Sequence, residues 1–139
     1  MLAYSSSAEA AAVLPSAAPS FRVRQSPEGP NCHQLSLEDT HGNVAHWLIP
    51  GALEQLARQP VLLWLQPPAA PISAADCLEI GAVLLAPAHA DTAPSLSALL
   101  GQGLLHLHFG GELLRGYHRL RCLSGGNGQV WQLTPVSYA

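Results

Sequence analysis

Seven histidines, nine carboxylates and three cysteines are the residues of this chain best able to ligate a metal or move a proton, and their spacing limits what chemistry is open. In the run CHQLSLE at 32 to 38, the two-residue period of a strand places Cys32, Gln34, Ser36 and Glu38 on one face and His33, Leu35 and Leu37 on the other. A hard divalent ion acting on phosphate needs anionic oxygens or imidazoles converging on one point. The first face offers Glu38 alone. His106 and His108 stand two apart on one strand face, a two-ligand start for zinc or nickel, but no third ligand follows from the spacing. His46 could join Cys32 in a soft-metal site if their strands pair in the right register, against the plainer expectation of a histidine on a barrel surface or hydrogen-bonded at its rim. The GGNG segment at 125 to 128 lacks the Lys-Ser/Thr and the helix of a phosphate loop and reads as a hairpin turn. No serine sits in a nucleophile-elbow context, so no hydrolase triad is indicated.

The elements that must position these residues are short. From Phe21 onward, strand-like runs at 21–25, 32–38, 43–49, 61–66, 80–86, 104–109, 113–122 and 129–134 alternate with Gly, Pro and Asn punctuation, which predicts a mostly β fold, a small closed or partly open barrel of about eight short strands. His41-Gly42-Asn43 and Gly125-Gly126-Asn127-Gly128 supply residues tolerant of positive φ and predict hairpins. Two short helices are expected, at 52–58 after Pro50-Gly51 and at 95–100, between Pro94 and Gly101.

A chain of 139 residues holds one compact domain. Residues 1–20, rich in Ala, Ser and Pro, bury too little surface to offset their ordering entropy and are expected to form a flexible lead to a domain at 21–139. No apolar run approaches the roughly 20 residues of a spanning helix, and no Lys or Arg precedes the N-terminal apolar patch as in a secretory signal; a cytoplasmic protein without membrane contact is expected. Cys32, Cys77 and Cys122 show neither disulfide nor zinc spacing. The formal net charge of −3, with six basic residues, disfavours general adhesion to polyanions. Arg22 with Arg24, and Arg115 with Arg119 and Arg121, leave room for a local basic patch; solvated strand faces are the plainer expectation.

The run FRVRQSPEGPNCHQLSLEDTHGNVAHWLIP at 21 to 50 resembles the opening of the 3′-phosphoesterase domain of bacterial DNA ligase D. Phe21, Leu37, Glu38, Gly42, Trp47 and Pro50 fall at matching places. The closing segment is similar as well, with Gly103, Leu105, Leu107, Phe109, Gly111, Leu114 and Gly116 on the family's Gly-x-Leu-x-Phe-x-Leu-x-Gly-x-x-Leu-x-Gly pattern. The likeness runs from about 21 to 136, loosely through 60–100.

The resemblance implies a barrel whose metal ion, of the manganese type, is held by two histidines and an aspartate, with an arginine two residues on for phosphate. Carried onto this chain, those positions are Ser26, Cys32, Gln34 and Ser36. None can do the same work. The family's later histidine falls near Pro67, before Pro68, and its tyrosine has no counterpart. The implied reading is a degenerate pocket of Ser26, Cys32, Gln34, Ser36 and Glu38, without cofactor or metal, in a non-catalytic relative that serves as a binding or scaffold module linked to DNA-end repair. A protein partner or a weak nucleic-acid contact is the expected company. Two rivals stand beside it: an active phosphoesterase with a metal site rebuilt from Cys32, His33, His46 or Glu38, and a structural barrel whose exposed aliphatic strands pair with a partner.

Overall fold

The computed structural model describes residues 18–27, 29, 31–67, 76–87 and 95–137. Most of the expected N-terminal lead, residues 1–17, lies outside them. Eight strands form: β1 (Ser20–Gln25), β2 (Cys32–Glu38), β3 (Val44–Pro50), β4 (Val61–Gln66), β5 (Glu79–Pro87), β6 (Leu104–Gly110), β7 (Arg115–Cys122) and β8 (Val130–Pro135). Their order around the wall is β1-β2-β3-β4-β8-β7-β6-β5, antiparallel throughout, and β5 pairs back onto β1 to close the barrel. Closure settles the choice that the sequence leaves open between a closed and a partly open barrel. Every strand has two hydrogen-bonded neighbours, so no pairing edge is left.

The two-residue period decides which side chains fill the interior. Phe21, Leu35, Leu37, Trp47, Ile49, Leu63, Leu107, Phe109, Leu120, Trp131 and Leu133 are all buried in one cluster. Two aromatic pairs meet edge to face inside it, Trp47 with Trp131 at 6.0 Å and Phe21 with Phe109 at 5.1 Å between ring centroids, an arrangement the ring quadrupoles favour. Phe21 needs room that two glycines provide, since a Cβ on Gly81 would stand 2.7 Å from its ring, as would one on Gly111.

The two expected helices form within a residue or two of their predicted places. Leu53–Ala57 is a single 3₁₀ turn, and α1 (Leu96–Gln102) is an α-helix capped by the Ser95 hydroxyl and ended by Gly103 in the left-handed region. β7 starts at Arg115 rather than at 113, because Glu112, Leu113 and Leu114 are spent on a turn whose amides all donate to the Glu79 carboxylate. Among the described residues no helix is long and apolar enough to cross a membrane.

Candidate functional site

β1 and β2 pair with Arg22 opposite Ser36 and Arg24 opposite Gln34, and the register continues so that Ser36 faces His46 and Gln34 faces Leu48 on β3. Ser26, one residue beyond β1, donates its amide to the Cys32 carbonyl at 2.9 Å. The structure therefore gathers Ser26, Cys32, Gln34, Ser36 and Glu38 on one face of the wall. That face is the outer one. Leu35 and Leu37 point to the core, so the period-two rule holds and the apolar pair takes the inside.

Gln34, Ser36 and His46 are nevertheless buried, and their polar atoms are used. Arg24 Nε donates to Gln34 Oε1 at 2.7 Å, and Gln34 Nε2 donates across β3 to Gln66 Oε1 at 2.8 Å. The Ser36 hydroxyl and His46 Nδ1 lie 2.6 Å apart. A serine beside an imidazole invites a nucleophilic reading, but in a Ser-His-Asp triad Nδ1 is the nitrogen held by the orienting group, and the serine meets Nε2. Here the hydroxyl occupies the orienting side. The pair satisfies two buried polar groups that would otherwise cost about 1–3 kcal/mol each. Sequence reasoning missed it although the signal was there: Ser36 and His46 are each five residues from His41, on which the β2–β3 register is centred, so the antiparallel hairpin sets them opposite one another.

A small cleft of about 150 Å³ adjoins this network, lined by Val44, Ala45, His46, Leu65, Gln66 and Leu100 of α1. It is well below the roughly 300–1,000 Å³ of typical ligand sites. A larger open cavity of about 770 Å³ lies at the barrel end formed by the β1–β2 loop, the 3₁₀ turn and the β6–β7 turn, lined by Asn31, His33, Leu53, Arg58, Glu112 and Leu113 among others. His33 sits at its rim with Nδ1 3.0 Å from the Gly51 carbonyl oxygen.

The residues of the rebuilt-metal rival are thus dispersed. His33 occupies the inner strand face at one rim, His46 is bonded to Ser36, and Glu38 lies at the far end of β2 from Cys32. Among the described residues no three His, Cys, Asp or Glu side chains gather in a metal-holding group. Pro67 is exposed just past β4, while Pro68 and residues 69–75, where the resembling family's later histidine and tyrosine would be sought, lie outside the described residues. His106 and His108 do share one face of β6, as expected, and it is the outer one, where the His108 ring stacks on Tyr117 at 4.2 Å. The GGNG segment is a turn, with Gln129 donating to the Gly126 carbonyl and Trp131 Nε1 to that of Gly128.

Two carboxylates that the sequence did not single out hold the barrel ends. Asp39, buried beyond β2, accepts from the amides of His41, Asn43 and Leu96 and from the Asn43 side chain. Burial pushes its carboxyl up, and these donors outweigh the burial and hold it below the ordinary value. Glu79 is held low in the same way, with burial opposed by the amides of Glu112, Leu114 and Leu113. Comparison with protein-family models and with curated proteins finds no match.

Proposed function

We propose that this protein is a non-catalytic barrel that acts as a binding or scaffold module, built like a 3′-phosphoesterase domain whose chemistry has been replaced by structure; its link to DNA-end repair rests on that likeness alone. One observation carries the reading. The positions that would hold metal and phosphate, Ser26, Cys32, Gln34 and Ser36, bear no carboxylate or imidazole, and Gln34 and Ser36 are committed to Arg24, Gln66 and His46. A group whose lone pairs and protons are already engaged in a buried network cannot take up a metal or turn over a substrate without breaking that network. The open cavity beside His33 and Leu53 is of a size that suits a ligand, which supports binding as the remaining role.

The test is an assay of phosphate or ribonucleoside release from a 3′-modified primer with added Mn. The expected result is no turnover above the protein-free control. Turnover that persists in a repurified sample, and disappears in a Cys32→Ala/His46→Gln double variant, would instead establish the rebuilt-site enzyme.

A further inference from the structure

Half of the arginines in the chain, Arg115, Arg119 and Arg121, belong to β7. Alternation sends all three outward with Tyr117, because His118 and Leu120 are buried on the opposite face. Register completes the surface. His106 lies opposite Arg119, His108 opposite Tyr117, and Leu84 of β5 opposite His108. Leu84 is 65% and Tyr117 48% exposed, and the His108 ring lies flat against that of Tyr117, 18° from parallel. No Asp or Glu occupies the outer positions of β5, β6 or β7, and among the described residues no carboxylate pairs with these three arginines. In a chain of net charge −3, this face is a cationic exception built around an exposed aromatic stack.

We propose that the outer face of β5, β6 and β7 binds a single-stranded polynucleotide. This rests on the reading of the chain as a binding module and names what one of its surfaces takes. The chemistry comes in two parts, and a single strand supplies both. Phosphates answer arginines that no carboxylate among the described residues answers, and Arg119 and Arg121, about 7 Å apart along a strand, match the repeat of an extended sugar–phosphate backbone. Bases have flat faces for Tyr117 and an apolar edge contact in Leu84; stacking on aromatics of an open sheet is how sequence-tolerant single-strand binders work. An acidic peptide is the less suitable occupant. It would answer the arginines, but an extended peptide gains most of its affinity by adding to a sheet edge, and the closed barrel has none.

The experiment is fluorescence anisotropy of the full chain with labelled oligothymidylate and oligouridylate of about 12 nucleotides, a length within the range of small-barrel sites, titrated across salt. Both should bind at low salt and be released near physiological salt, with log K falling against log salt at a slope of about −2 for three phosphate contacts. Arg119→Gln should reduce the slope to about −1.4. Tyr117→Ala should weaken binding about tenfold or more while Tyr117→Phe leaves it unchanged, with circular dichroism confirming the fold of each. A preference for one oligonucleotide identifies DNA or RNA as the source, and either supports the site. Absence of binding at the lowest salt, indifference to the Tyr117 and Arg119 variants, equal affinity for duplex, or equally effective competition by polyglutamate overturns it. These failures leave the non-catalytic reading standing, since that reading falls only to turnover in the phosphoesterase assay.

Discussion

Replacing Asp39 tests whether the barrel end is organised as the hydrogen bonds indicate. Asp39 follows β2 and is 4% exposed, and its two carboxylate oxygens accept from four donors. Two backbone donors, His41 and Asn43, belong to exposed residues of the hairpin, so water replaces Asp39 there at a cost of about 0.5–1 kcal/mol each, like the loss of a cap. The Leu96 amide is different. It is the buried start of α1, 57 residues away in sequence, and stripping a buried N–H of a charged acceptor costs about 1.5–3 kcal/mol. Asp39→Ala should therefore lose about 3 kcal/mol, a large share of the roughly 5–15 kcal/mol that holds a domain together, and lower Tm by about 12 °C. Asp39→Asn keeps one acceptor oxygen and should lose about half as much. The assay is urea and thermal unfolding, with an unchanged m-value showing that the same surface is exposed. The pH dependence has a definite sign. The folded carboxyl titrates below its ordinary value of 3.8, so its contribution is fully present above that value and is lost as pH falls through the lower folded pKa; the wild-type advantage over Asp39→Asn should shrink only there. An Asp39→Ala variant within 2 °C of wild type, or an advantage that fades at neutral pH, would refute the account, both thresholds being set against the roughly 12 °C expected.

Glu79→Gln should destabilise by about 1 kcal/mol, because three turn amides lose a charged acceptor at a partly solvated site, and the difference from wild type should vanish at low pH as the Glu79 carboxyl is protonated. Gly81→Ala should cost about 1–3 kcal/mol by urea unfolding, since the new methyl meets the Phe21 ring; a neutral result would mean that the ring is loosely held. The triple variant Ser26→His, Cys32→His, Gln34→Asp places three hard-metal ligands on one outer face and should gain Mn affinity by calorimetry that the parent lacks. A folded triple variant without that gain would show that the likeness to the phosphoesterase strand pair does not extend to its site.

Strand positions were legible because punctuation and period agree. Gly42 and Gly125 take the positive φ their turns require, and the runs between them alternate cleanly enough that seven of the eight strands start within a residue of expectation. The exception, β7, shows what the alphabet hides. Leu113 and Leu114 read as strand, but the Glu79 carboxylate, contributed by another strand, bends their amides into a turn. The outer placement of Gln34 and Ser36 was legible too, from Leu35 and Leu37 in the same heptapeptide. It was obscured because the resemblance carries metal-ligand positions onto Cys32 and Gln34 and draws attention to that face as a pocket lining. Asp39 could not be found at all, since nothing local distinguishes an aspartate that caps its own hairpin from one that also reaches a helix 57 residues on.

Closure of the wall constrains every remaining account of association. A partner that paired with an exposed strand, as the structural-barrel reading supposes, would need unsatisfied backbone groups in a row, and the ring from β1 to β5 has spent them. Among the described residues, what is left for association is the side chains on the outer faces and the barrel ends. On the β4 face Leu62 and Trp64 are each 40% exposed, an apolar pair without a charged neighbour on their strand. On the β7 face the exposed Tyr117 shares its side of the strand with Arg115, Arg119 and Arg121. Two copies brought together through β7 would set arginine against arginine, which destabilises such a contact, whereas two copies brought together through β4 would not. The surface that would repel its own copy is therefore the one the proposal gives to an anionic ligand, and the apolar pair that would not repel a second copy sits on β4, which β8 alone separates from β7.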